Sequence, residues 1–285
     1  MSDNFIFHAF AIGVSGRITA PFDEVIPVQA SSALPGAGGF GTSRIENFRF
    51  RNILSFDAAT AVVAGSDSPA QTGGQDSAKS PDMRSHDAVA TTIVEGLDIL
   101  GVVKADRIVA RIASSHPFDK TKPSSIVPIG TSFENLRIAG HKAEIDLAID
   151  TFSKLATAQS VRDAFRNNTD GFRDEFKQMT LIGREGDIPA AVKKYFSPRD
   201  YDTAENIPQS NGFIIGSLVR QIKGLGPELM VCGHIVVVPS FGIIRLGELK
   251  ITNSARRILM LQVHLGSTPE GNIGTCGAEG NGDGF

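Results

Sequence analysis

Hydrophobic and polar residues alternate through one phrase that the chain writes more than once. Ile45-Glu46-Asn47-Phe48-Arg49-Phe50 lines up with Val94-Glu95-Gly96-Leu97-Asp98-Ile99, and the same register carries Ile53 onto Val102, Asp57 onto Asp106, Ala61 onto Ala110 and Ala64 onto Ala113. A shorter copy is Phe133-Glu134-Asn135-Leu136-Arg137-Ile138, and Gly247-Glu248-Leu249-Lys250-Ile251 is a fainter fourth. An apolar residue, an acid, a small or polar residue and then alternation has period 2, which predicts strands with one buried face.

The rest of the chain divides by the same criterion. Residues 5–19 alternate and then meet Pro21 and Pro27, as a first strand closed by a turn would. Residues 30–42 are rich in Gly, Ser, Ala and Pro and read as a loop. Residues 65–87 lack apolar periodicity and predict an exposed, mobile loop, and 116–128 form a second, proline-bearing one. The period changes at Ile149. Phe152, Leu155, Ala156, Val161, Ala164, Phe165, Phe172 and Phe176 recur at spacings of three and four, and Pro189 opens a short third helix reaching Phe196. Residues 150–196 are thus expected to be a helical insertion. Strand patterns return over 213–219, 229–239, 243–251 and 257–265. The run Ile235-Val236-Val237-Val238 implies a strand covered on both faces. Residues 266–285 read as a glycine-rich tail. The expected fold is mainly β, a sandwich or barrel-like arrangement of repeated strand units in a single domain over 1–285, with the helices packed across an end or a face.

Composition narrows the classes of function. With 285 residues, 41% hydrophobic, the chain can bury a large core, as an ordinary soluble protein does. Its net charge is -3 and its 28 basic residues are scattered, which argues against a nucleic-acid partner. Tryptophan is absent and only two tyrosines occur, against 18 phenylalanines, so sugar-stacking side chains are scarce. No apolar run reaches the ~20 residues of a membrane helix. The start, Met1-Ser2-Asp3-Asn4, is acidic where a secretory signal would be basic, so a cytoplasmic or non-classically exported protein is expected. Cys232 reads as a core residue and Cys276 as part of the tail. Two cysteines could form one bridge but make no disulfide framework.

Candidate chemistry is sparse. Glu46, Glu95, Glu134 and Glu248 recur at one place in each copy, so they read as structural acids that cap strand entries or pair with Arg44, Arg49 or Arg137, and Asp57 and Asp106 read likewise. No histidines stand at metal-ligand spacing. His116, His141 and His234 lie at strand ends or beside glycines, and with Glu134 they are the best candidates for proton transfer if there is an active site. His86 falls in the mobile loop. The segments Gly36-Ala37-Gly38-Gly39-Phe40-Gly41 and Gly224-Leu225-Gly226 lack the context of a phosphate loop. Glu279, Asn281 and Asp283 alternate with glycine as in some calcium loops, without a closing bidentate acid. No cofactor is indicated.

The opening strand Phe10-Ala11-Ile12-Gly13-Val14-Ser15-Gly16, followed by Val94-Glu95-Gly96-Leu97-Asp98-Ile99-Leu100-Gly101 and by Thr131-Ser132-Phe133-Glu134-Asn135-Leu136-Arg137-Ile138, resembles the bacterial choice-of-anchor P family. The likeness covers roughly the first half of the chain. It implies a β-rich, surface-associated protein and no catalytic residues. The function expected first is a non-enzymatic structural protein that assembles with itself or with a surface. The alternative is an enzyme or small-molecule binder with its pocket where the helical insertion meets the sheet.

Overall fold

The computed structural model describes residues 5–68, 84–119, 121–181, 186, 188, 190, 193, 213–266 and 268–284. The first half is built from long strands: β1 (Phe5–Ala20), β2 (Glu24–Ala33), β3 (Gly39–Phe50), β4 (Leu54–Asp67), β5 (Ser85–Ile99) and β6 (Val103–Pro117). Short strands follow: β7 (Ser125–Pro128), β8 (Ser132–Glu134), β9 (Arg137–Ile138), β10 (His141–Lys142) and β11 (Glu144–Leu147). Helices α1 (Ile149–Lys154), α2 (Ala158–Asn167) and α3 (Phe172–Met179) come next. The chain closes with β12 (Ile214–Ser217), β13 (Val219–Lys223), β14 (Met230–Cys232), β15 (Ile235–Val238), β16 (Gly242–Ile251), β17 (Ala255–Gly266) and β18 (Glu270–Gly284).

Two antiparallel sheets stack as a sandwich. One runs β14-β15-β16-β17-β18-β1-β2, with β12 also on β16; the other runs β10-β9-β6-β5-β4-β3, with β7 and β8 also on β6. Cα atoms of β1 approach those of β4 and β5 within 8 Å, as do those of β18 with β5 and β6. Side chains normally hold stacked sheets ~10 Å apart. The closer approach follows from small buried residues: Ala9 and Ala11 on β1, Ala278 on β18, Ala59 and Ala61 on β4, Ala90 on β5 and Ala110 on β6. Across this seam Thr92 Oγ1 donates to the Gly277 carbonyl at 2.7 Å, and a Cβ on Gly280 would stand 2.8 Å from Ile112 Cγ2.

The recurring phrase marks one place in the second sheet. Asn47, Gly96 and Asn135 all have positive φ, and so do Arg51, Leu100 and Ala139 four residues further on. Burial alternates on even positions up to Val94 in β5 and on odd positions from Leu97, so the phrase is where the inward face switches. Successive turns then bond: Leu100 N–H donates to the Ile53 carbonyl at 2.9 Å and Ala139 N–H to the Val102 carbonyl at 2.8 Å.

The helical insertion is bracketed by the β11–β13 ladder. Thr157 caps α2 with a reciprocal capping box to Ser160, and Phe152, Phe165, Phe172 and Phe176 pack ring on ring beneath the helices. The described helices span 149–179. The third helix expected at 189–196 lies outside the described residues but for Ala190 and Lys193. In β15, Val236 and Val238 face the main core, while Ile235 and Val237 join a second cluster with Leu181 and Ile188; both faces are covered.

Several loops prove shorter than the sequence suggests. Strands β2 and β3 take most of 30–42, β4 and β5 extend to Asp67 and from Ser85, and 69–83 lies outside the described residues. The largest correction concerns the glycine-rich tail at 266–285. It forms β18, paired with β17 on one side and β1 on the other, because the narrow seam between the sheets accepts glycine and alanine and rejects bulk. Cysteine roles are exchanged as well: Cys276 is fully buried in β18, whereas Cys232 is half-buried, and the two are unbridged.

Candidate functional site

The sequence-derived candidates do not converge. His141, on β10, meets Glu228 Oε1 at 2.5 Å as an exposed pair. The Glu228 carboxyl is held below its ordinary range by its own backbone N–H and then by His141. His234 is buried and donates Nδ1–H to the Met179 carbonyl at 3.0 Å, tying the end of α3 to the turn before β15. His116 is buried at the end of β6, opposite His86 of β5. Glu134 pairs with Arg107 at 3.0 Å on the surface.

Three of the repeated acids, Glu46, Glu95 and Glu134, pair with arginines. Glu46 lies 2.8 Å from Arg44 Nε, and Glu95 lies 3.9 Å from the same guanidinium. Glu279, Asn281 and Asp283 sit on continuous strand, in register with Phe10, His8 and Ile6 of β1. An extended strand cannot wrap a cation as a calcium loop does, and no group of three His, Cys, Asp or Glu side chains among the described residues could hold a metal.

His86 is a residue whose setting the sequence reading missed. It belongs to β5, stacks between Phe5 and Phe118 at 4.0 and 4.3 Å, and meets Asp67 Oδ1 at 2.6 Å. Its spacing of two from Ala88 and Ala90 is the signal that extends β5 through it.

Two features among the described residues stand out as places for binding. The first is a cavity of about 200 Å³ between the helical insertion and the sandwich, walled by His116, Ser124, Thr157, Asn253, Ser254 and Arg256. Arg256 is 1% exposed; it donates from Nη1 to the Phe152 carbonyl at 3.0 Å and from Nη2 to that of Leu155, closing the C-terminal end of α1. Burial draws this guanidinium down to about 10, still a cation at neutral pH. Sequence reasoning passed over it, although Ile258 and Met260, both fully buried, share its parity on β17.

The second feature is the margin of the sandwich formed by β2 and β3. Each is the outermost strand of its sheet, ten and twelve residues long, and together they expose Val25 (61%), Val28, Phe40 (66%) and Ile45. The opposite margin ends in β14 and β10, of three and two residues. Pro27 lies in β2 at the bulge where its pairing with β1 shifts register; β3 has no proline.

The architecture is that of a two-sheet antiparallel β-sandwich carrying a helical insertion, with no helix among the described residues long and apolar enough to cross a membrane. Residues 5–252 match the family described as "Domain of unknown function (DUF8256)", and the chain belongs to that family. No curated protein and no solved structure matches it.

Proposed function

We propose that the protein is a non-enzymatic structural module that assembles with a second copy of itself along the free edge of β3. The observation that carries this reading is the contrast between the two margins of the sandwich. Edge strands offer unpaired N–H and C=O groups to other chains, and proteins blunt them by shortening, by proline or by charge. The β14 and β10 edges are short and β2 has its proline. The twelve residues of β3 pair only with β4 among the described residues and present two large apolar side chains to solvent.

The sequence of β3 is also self-complementary. In an antiparallel pair centred on Ile45, Arg44 stands opposite Glu46 of the second copy, Thr42 opposite Phe48 and Phe40 opposite Phe50, each twice by symmetry. That register joins opposite charges at its centre and sets the exposed Phe40 beside the partner copy's half-buried Phe50. The enzymatic alternative has weaker support, since the three candidate imidazoles occupy separate places: His116 borders a cavity, His141 pairs with Glu228 on the surface and His234 bonds the Met179 carbonyl.

Light scattering coupled to size exclusion tests the proposal. The expected result is twice the monomer mass at micromolar protein, reverting to monomer in Ile45→Lys, which sets a charge at the centre of the pair without touching the core. A wild-type monomer at that concentration, or a dimer that Ile45→Lys leaves intact, would falsify it.

A further inference from the structure

Among the described residues, the cavity beneath α2 has a cation and no anion in its walls. Among the described residues its lining contains no Asp or Glu, and Arg256, buried almost completely, meets only the two α1 carbonyls. A guanidinium has five N–H donors, so two bonds leave three. A buried charge normally stands beside an opposite one because desolvation is costly.

Other parts of the wall offer donors as well. Helix α2 begins at Ala158, in the lining, and the first N–H groups of a helix have no intrahelical acceptor; Thr157 satisfies only that of Ser160. Arg162 donates to Asn253 Oδ1 at 2.9 Å, which fixes that amide by its oxygen and leaves its Nδ2 protons for another acceptor. Ser124 and Ser254 add hydroxyls. The cavity volume is about 200 Å³, well above what a single water needs. That admits a small tetrahedral or planar oxyanion and lies below the ~300–1,000 Å³ of pockets that take drug-sized ligands.

We propose that this cavity binds one small oxyanion, a phosphate or a carboxylate group, between Arg256, the N-terminus of α2 and the turn at Thr252, Asn253 and Ser254. The site is independent of the β3 edge and stands whether the protein is a monomer or a dimer.

Isothermal titration calorimetry on the full chain at constant ionic strength, with inorganic phosphate in one arm and acetate in the other, tests this. One-to-one saturable binding is expected in at least one arm, and the arm identifies which oxyanion the site prefers. Arg256→Met removes the cation but also two helix-closing bonds, so the informative variant is Ser254→Asp, which puts a carboxylate into the cavity in place of the ligand. Ser254→Asp should weaken anion binding at least tenfold while the protein still unfolds cooperatively at an unchanged or higher temperature. The idea is overturned if neither anion binds saturably at millimolar concentration to folded protein, or if Ser254→Asp binds as wild type does.

Discussion

Asn135 Nδ2 donates to Asp106 Oδ2 at 2.6 Å, and the residues that align with them one copy earlier in the sequence, Gly96 and Asp57, lie so close that a Cβ on Gly96 would clash with the Asp57 carboxylate. In each case the aspartate of one hairpin lies over the left-handed residue of the next strand: φ is 50° at Asn135 and 65° at Gly96. Asparagine tolerates that conformation and donates to the carboxylate, while glycine tolerates it and leaves the carboxylate room.

Gly96→Ala should therefore destabilise the protein by about 1–3 kcal/mol, since it adds left-handed strain and drives a Cβ into Asp57. Asp57→Ala removes the obstacle and not the strain. In urea denaturation the double variant should recover part of the loss, and strictly additive costs would mean that the two residues are not coupled.

This seam also shows what was legible beforehand. Val94 and Leu97 are both buried with two residues between them, and that break in period is written into the repeated phrase. Strand β18 was illegible for the opposite reason. Its glycines have poor strand propensity, and only the alanine faces of β1, β4 and β5 make small residues the ones that fit. Arg256 was hidden beside Arg257, since one guanidinium is buried and its neighbour exposed. Strand parity separates them, but parity depends on knowing where β17 begins. The cavity unites residues from 116 to 256, a juxtaposition no local pattern carries.

Asp87 gives a pH dependence with a defined sign. Burial pushes its carboxyl up, but hydroxyls of Ser115, Ser68 and Ser85 outweigh that and hold it below the ordinary value of 3.8. A carboxyl depressed in the folded state contributes stability that is full above its unfolded pKa and is lost as pH falls through the folded one. Asp87→Asn should thus cost about 1–2 kcal/mol at pH 7, the scale of a charged hydrogen bond. The gap to wild type should narrow below about pH 4. A difference that stays constant from pH 7 to pH 2 in denaturant melts would refute the assignment.

The thiols should differ in kinetics. Cys276 is fully buried, its Sγ donating to the Thr92 carbonyl at 3.2 Å, and burial raises it far above the usual thiol range. Cys232 is half-buried. A disulfide-exchange reagent should titrate one thiol in native protein and the second only when the chain unfolds, at a rate limited by unfolding. Two thiols reacting alike under native conditions would place β18 wrongly.

The sharpest test of β18 is to remove it. Reading 266–285 as a tail implies that a chain ending at Gly266 folds as the full chain does. The structure implies otherwise, for β18 lies between β1 and β17, and its loss would leave two long edges and an open slot through the sheet. It would also unseat Ile273, Thr275, Cys276 and Ala278, all buried, and take away the carbonyl that Thr92 bonds across the seam. Each large buried apolar side chain contributes about 1.5–3 kcal/mol, and a domain's net stability is about 5–15 kcal/mol, so the truncated chain should fail to unfold cooperatively. Circular dichroism through a thermal ramp and amide hydrogen exchange at Val14 and Leu261, which pair with β18 through Thr275, would show it: both amides should lose protection together. A truncated chain that melts cooperatively within a few degrees of wild type would restore the tail.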